Sequence, residues 1–330
     1  MNSEFYITDE QIITAFKKGA CEPALKWAIE ERDWRKINNN WFIWDCYNAQ
    51  VCPISVLEEF ANNSSCNLQK DVVFNPKCPP YILEKFADSS DFLNTKINIA
   101  YNPNCPSHIL EKLTKESNCF LNEGIVSNPN CPVWILERFV DVSDNSFLSR
   151  ILVNPNCPVH VLEKFADDYY SDIRKSVAYN PNCPVYILEK LADDFNSYVK
   201  IGVAYNPNCP VHILEKLAED SCASVLITVL ANPNCPSHLF EKMLENSDNV
   251  AQEAILSNPS CPIHLLEKFA EESKCFLDMA IICNPSCPIH LLEKFTESSD
   301  FELRREAISK LNPSIEMILK IIEESEEYES

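Results

Sequence analysis

Asn206-Pro-Asn-Cys-Pro-Val-His-Ile-Leu-Glu-Lys-Leu-Ala-Glu-Asp220 is a stretch whose close copies recur along nearly the whole chain. The cysteines of successive copies are 26 residues apart, except for one step of 27 residues between Cys78 and Cys105. The ten cysteines of the series are Cys52, Cys78, Cys105, Cys131, Cys157, Cys183, Cys209, Cys235, Cys261 and Cys287. A fixed period in this range is the signature of a stacked repeat architecture. Positions below are counted from the cysteine of each repeat.

Each repeat carries the signals of two helices joined by turns. Asn-Pro-Asn-Cys is typical of a type I turn, because asparagine suits its first position and proline its second. The next proline starts a helix, which predicts that the cysteine is its N-cap. Apolar residues at +2, +4, +5, +8 and +9 give that helix a stripe with a period of 3.6 residues. Apolar residues at −10, −6 and −5 predict a second short helix or a 3₁₀ piece.

The asparagine at −3 is present in nine of the repeats. Asparagine side chains bond the backbone two residues further on, and buried backbone groups need partners. We therefore expect these residues to form a hydrogen-bonded ladder that satisfies the turns.

Residues 177–194 read Val-Ala-Tyr-Asn-Pro-Asn-Cys-Pro-Val-Tyr-Ile-Leu-Glu-Lys-Leu-Ala-Asp-Asp. This pattern resembles the leucine-rich repeat variant family, and the resemblance covers about residues 48–300. It implies an all-α superhelical solenoid of alternating α-helices and short, 3₁₀-like helices, without a sheet. The chain departs from the family pattern by a slightly longer unit and by cysteine where threonine usually stands.

An iron–sulphur cluster on an N-terminal cysteine cluster is known in that family, so this chain's first cysteines bear on the resemblance. Cys21, Cys46, Cys52 and Cys66 lack the close Cys-x₂-Cys spacing that holds such clusters. The cluster is therefore not carried over to any residue of this chain.

The repeats divide the chain into three predicted segments. Residues 1–47 form an N-terminal helical cap, with a capping box at Thr8-Asp-Glu-Gln11 and bulky apolar residues at 41–44. Residues 48–310 form a solenoid of ten repeats. Residues 311–330 form a C-terminal cap helix and an acidic tail.

Charge bounds the possible partners. Acidic residues number 49 against 28 basic ones, and the net charge is −21. Such a balance disfavours direct contact with nucleic-acid phosphates or an anionic membrane, and it favours a basic protein partner. The amino terminus lacks the pattern of a leader, and no apolar run approaches membrane-spanning length. We therefore expect a cytoplasmic protein whose 17 cysteines are free thiols.

No catalytic motif is visible in the chain. A Ser-His-Asp order, a glycine-rich phosphate loop and His-Glu-x-x-His are all absent, so no enzyme class is supported. Six repeats carry Cys-x-x-His, which suggests zinc. Equivalent positions of stacked helices lie about 8–10 Å apart, too far to share a metal with zinc–sulphur bonds of about 2.3 Å. We assign no catalytic, cofactor-binding or metal-binding residue, and a metal or redox protein remains one alternative.

The preferred function is a non-enzymatic protein–protein interaction scaffold, because solenoids present long surfaces and aromatic side chains are common partner anchors. The second alternative is an acidic decoy that occupies a nucleic-acid-binding protein, since acidic residues recur at +10. The candidate partner-binding residues are four aromatic and four acidic ones: Tyr101, Trp134, Tyr179, Tyr205, Asp167, Asp193, Glu219 and Glu245.

Overall fold

The computed structural model describes residues 6–34, 52–62, 72–89, 93–116, 118–141, 144–244, 248–272 and 275–329. Some positions named in the sequence analysis lie outside the described residues: 41–44, Cys46, Cys66 and Glu245. Within them, the regular elements are α-helices, and the pairing of Tyr6 with Asp33 is an isolated bridge. The predicted all-α class is confirmed. Among these helices, none combines the length and apolarity needed to cross a membrane.

The described helices follow the two-helix pattern of the repeat. In chain order they are α1 Asp9–Lys17, α2 Glu22–Glu31, α3 Ile54–Asn62, α4 Pro80–Ser89, α5 Leu93–Tyr101, α6 Ser107–Leu113, α7 Cys119–Ser127, α8 Val133–Val140, α9 Asn145–Val153, α10 Val159–Phe165, α11 Ser171–Tyr179, α12 Val185–Leu191, α13 Ser197–Tyr205, α14 Val211–Leu217, α15 Ala223–Ala231, α16 Ser237–Leu244, α17 Asn249–Ser257, α18 Ile263–Glu271, α19 Cys275–Cys283, α20 Ile289–Phe295, α21 Phe301–Lys310 and α22 Ile315–Glu329. We call α3 and the even-numbered helices α4 to α20 the A helices. The odd-numbered helices α5 to α21 are the B helices.

The B segments are regular α-helices. Of the two possibilities that the sequence left open for them, a second short helix or a 3₁₀ piece, the structure shows the helix. Each B helix from α5 to α19 has nine residues, enough for several i→i−4 hydrogen bonds. Bonds of the 3₁₀ type are found at both ends of such helices. At the start of α11 the Ile173 N–H donates to the Tyr170 carbonyl at 3.1 Å, and at its end the Asn180 N–H donates to the Val177 carbonyl at 3.2 Å. Asn180 has extended backbone angles and stops α11.

The chain forms two compact units, residues 133–308 (unit 2) and residues 1–132 together with 309–330 (unit 1). Within unit 2, each B helix from α9 to α17 packs against the B helix of the next repeat. The A helices cover this layer with few contacts among themselves. Gly202 permits the close approach of α13 to α11, because a Cβ there would lie 3.1 Å from the Ala178 Cβ. This nearest-neighbour stacking is that of an α-solenoid.

Unit 1 brings the two predicted cap segments together. Helix α22 packs against α1 and α2, and Lys17 donates to the Asn312 side chain at 3.4 Å. The capping box of α1 is confirmed, since the Gln11 N–H donates to Thr8 Oγ1 at 3.3 Å and the Thr8 N–H to Gln11 Oε1 at 3.0 Å. The contact between the first and last helices was not foreseen from the sequence.

Candidate partner-binding surfaces

A buried asparagine ladder sets the register of the repeats, and hence of every surface row. The Asn206 side chain accepts a hydrogen bond from the Asn208 N–H at 2.8 Å, closing the turn. Its amide donates to two carbonyls of the preceding repeat, those of Ala178 at 2.7 Å and Asn180 at 2.8 Å. The same bonds recur at Asn102, Asn128, Asn180, Asn232, Asn258 and Asn284. The predicted ladder is confirmed, and it also joins adjacent repeats.

The repeat cysteines are core residues and not N-caps, so that prediction is wrong. The Cys183 N–H donates to the Asn180 carbonyl at 2.9 Å, which commits its backbone to the turn. Pro184 is the N-cap of α12, and its extended backbone starts the helix without a side-chain bond. The Cys183 thiol is buried, and burial raises its pKa to about 12. The thiolate expected at a helix N-terminus is therefore not favoured there.

The Cys-x-x-His motif separates its two side chains. Five of the six cysteines are buried in the core and Cys287 is half-buried, whereas each histidine ring lies on the surface. The Nε2 atom of each ring lies 3.0 Å (His108 to Glu84) to 3.8 Å (His264 to Glu241) from the +6 glutamate of the preceding repeat. Both tyrosines at +3, Tyr81 and Tyr186, donate to the same glutamate row. Across the described part of the chain, no three His, Cys, Asp or Glu side chains converge as metal ligands would.

The +10 acidic row is exposed, but some of its charges are paired. Asp167 lies 2.5 Å from Lys190 Nζ, and Asp193 lies 2.6 Å from Lys216 Nζ, each lysine belonging to the next repeat. Glu219 is exposed. Such pairs contribute little to stability at a surface. They do lower the local negative charge that a decoy of nucleic acid would need.

The structure brings together two of the four candidate aromatic residues. The rings of Tyr179 and Tyr205, which end α11 and α13, lie 5.0 Å apart between centroids. Burial, and then the neighbouring Tyr205, raise the pKa of Tyr179. Tyr101 ends α5 and belongs to unit 1. Trp134 lies on the A helix α8 and so belongs to a different surface row.

A tyrosine patch, defined as Lys175, Tyr179, Tyr198 and Tyr205, covers the exposed faces of α11 and α13. Lys175 Nζ lies 5.3 Å from the ring centroid of Tyr179 and 5.8 Å from that of Tyr198. Tyr198 is 63% exposed and Tyr205 is 61% exposed. Tyr198 was not a sequence candidate. Its separation of seven residues from Tyr205, two turns along one helix face, was the signal that could have found it.

A second surface, the AB groove, lies where the A-to-B turns of two consecutive repeats meet. It is a concave space of about 580 Å³ between the turn at residues 167–169 and the turn at residues 193–195. Arg174, nearly buried, donates to both carboxylate oxygens of Asp194 at 2.7 and 2.9 Å. It also donates to the Asp168 carbonyl at 2.7 Å. Arg174 therefore ties the two turns to each other.

The AB groove is acidic as well as aromatic. Burial would raise the pKa of Asp194, but its bonds from Arg174 and from the Asn196 N–H hold that pKa below its usual range. Asp194 therefore stays ionised at neutral pH. The Arg174 guanidinium carbon also lies 5.1 Å from the centre of the Phe195 ring.

Comparisons with known proteins add little to these observations. No family model matches the chain, and no curated protein matches it. Among solved structures, it is similar to computationally designed armadillo repeat proteins for modular peptide recognition, at 13% identity, over 95% of this chain and 99% of that one, with a TM-score of 0.13. A designed armadillo repeat protein in complex with the peptide (KR)4 is 13% identical, over 96% and 100% of the two chains, with a TM-score of 0.12. Likenesses of this size carry no argument for this chain.

Proposed function

We propose that the chain is a non-enzymatic protein–protein interaction scaffold that binds a basic protein partner, with the tyrosine patch of unit 2 as its anchor. The observation that carries the proposal is the exposure of Tyr198 and Tyr205 on a helix whose core face is already complete. Val199 and Val203 of the same helix are fully buried. The core of this helix is therefore filled by other side chains, and most of the surface of the Tyr198 and Tyr205 rings is open to a partner.

Tyrosine suits an anchor because it offers a large apolar face with a polar tip and few rotatable bonds. The contacting rings of Tyr179 and Tyr205, with Lys175 beside Tyr179, form a continuous amphipathic surface. The net charge of −21 speeds association with a partner of opposite charge. The acidic row alone supports the decoy hypothesis less well, because Asp167 and Asp193 are paired with lysines.

The test compares the double variant Tyr179→Ala, Tyr205→Ala with the control Tyr186→Ala. Tyr186 is 53% exposed in the same unit but lies on the A helix α12. Immobilised full-length chains are used to capture partners, which are identified by mass spectrometry and located by cross-linking. We expect the double variant to lose the partner that the wild type and the control retain.

Salt separates the scaffold from the decoy. At 0.5 M salt the screening length falls to about 4 Å, so a complex held by exposed charges dissociates, whereas an aromatic interface persists. Retention of the partner by the double variant, together with its loss in high salt, would reject the tyrosine patch as the anchor.

A further inference from the structure

Position +12 differs between repeats in a way that the fold does not explain. Eight of the ten repeats carry serine there, whereas two consecutive repeats carry Tyr169 and Phe195. Both aromatic side chains are 89% exposed. Since so little of either ring is buried, neither contributes much to the core. Two exposed aromatic rings that line one groove on consecutive repeats indicate a contact surface.

These rings flank the AB groove, whose charge is negative. The groove is lined by four aspartates, Asp167, Asp168, Asp193 and Asp194, and by two basic side chains, Arg174 and Lys190. Lys190 pairs with Asp167, and Lys216 of the next repeat pairs with Asp193, so Asp168 carries the remaining negative charge. Arg174 is already bonded to Asp194 and to the carbonyls of the first turn. Its role in the groove is therefore to hold the two turns in place.

We propose that the AB groove binds an arginine side chain in a basic segment of a protein partner. A guanidinium group is planar, stacks on aromatic faces and donates in a fork to carboxylates, so it matches both kinds of group that the groove offers. The contact between Arg174 and Phe195 shows that a guanidinium already lies against one of these rings. Ring exposure of 89% leaves Phe195 and Tyr169 open to a second one.

A partner of opposite charge is favoured over a second copy of this chain. Each copy carries a net charge of −21, so two acidic surfaces would repel each other. The inference rests on the proposed function only in assigning the arginine to a protein partner. The groove and the tyrosine patch involve different side chains, and their tests are independent.

The experiment titrates the full-length chain with a capped hexa-arginine peptide in 150 mM salt, followed by calorimetry. The test variant is Tyr169→Ser, Phe195→Ser, which installs the residue that the other eight repeats carry at +12. Its control is Tyr186→Ser, a 53% exposed ring on α12 that lies outside both the AB groove and the tyrosine patch. We expect the test variant to bind about tenfold more weakly, the loss typical of two cation–π contacts, and the control to bind like the wild type.

Two results would overturn the proposal. One is the absence of hexa-arginine binding to the wild type. The other is equal binding to the wild type and to the Tyr169→Ser, Phe195→Ser variant, which would assign the affinity to diffuse negative charge. The variant Tyr179→Ala, Tyr205→Ala should keep its affinity for hexa-arginine even though it loses the captured partner, so failure of either proposal is recognised separately.

Discussion

Replacing Asn206 with alanine removes three hydrogen bonds from the interior of unit 2. The Asn180 carbonyl keeps its bond from the Cys183 N–H at 2.9 Å. The Ala178 carbonyl and the Asn208 N–H lose the bonds of 2.7 and 2.8 Å that the side chain made to them. A buried polar group that loses its partner costs about 1–3 kcal/mol, and an ordinary bond about 0.5–1.5 kcal/mol. We therefore expect a loss of about 3–5 kcal/mol in the free energy of unfolding.

Urea unfolding followed by far-ultraviolet circular dichroism measures this loss. A change of this size should lower the urea midpoint by about 1 M or more. The matched control is Asn208→Ala, in which an exposed amide that donates to the Pro181 carbonyl at 2.6 Å is removed. Water can replace that donor, so the control should cost less than about 1 kcal/mol.

Equal shifts of the midpoint in the two asparagine variants would refute the reasoning, because they would mean that the buried ladder does not hold neighbouring repeats together. Asn206→Asp provides a second check. A carboxylate keeps the acceptor for the turn but faces the carbonyls of Ala178 and Asn180. It should therefore destabilise the chain at neutral pH at least as much as alanine does.

Three further predictions concern the core and the thiols. Cys209→Ser should lower the free energy of unfolding by about 1–3 kcal/mol relative to Cys209→Ala, because a hydroxyl is costlier to bury than a methyl group; equal urea midpoints would contradict this. Cys222 should be alkylated by iodoacetamide well before Cys209 at pH 7.4, as read by mass spectrometry. Only a thiolate reacts with iodoacetamide. Hydrogen bonds, first that from the Val225 N–H, lower the pKa of Cys222, whereas burial raises the pKa of Cys209 to about 12. Equal labelling of the two cysteines would contradict this prediction. Gly202→Ala should cost about 1–3 kcal/mol in urea unfolding, because the new Cβ would lie 3.1 Å from the Lys175 carbonyl; a neutral change would show that the neighbouring helices can move apart.

The helices could be predicted because the apolar positions recur with the same spacing in ten repeats. An error at one local position does not change a pattern that is seen ten times. The N-cap error shows where local rules stop. Cysteine at position 183 stands where a capping residue is expected, yet the turn that begins at Asn180 uses its N–H and directs its thiol inward. Pro184 then caps the helix through backbone geometry alone.

The candidate site was predictable only in part, because contacts between repeats depend on their register. Tyr179 and Tyr205 both stand four residues before a repeat cysteine, and their rings meet because their helices stack directly. Trp134 was grouped with them for its aromatic character, although the +3 row lies on the A helices. Asp167 was treated as one charge along an acidic edge, but the stacking places the next repeat's Lys190 against it.

Comparing equivalent positions of the repeats distinguishes residues that stabilise the fold from residues that are available to bind a partner. Residues that hardly vary, such as the −3 asparagines, are buried and bonded across repeats. Departures from the common residue at exposed positions, such as Tyr169 and Phe195, are 89% exposed, and Phe195 adds only its contact with Arg174. In a solenoid each repeat contacts only its neighbours, so restoring the common serine at +12 should change stability by less than about 0.5 kcal/mol. If the Tyr169→Ser, Phe195→Ser variant loses binding but not stability, the partner is recognised by the side chains that differ from the common repeat residue, and not by the residues that all repeats share.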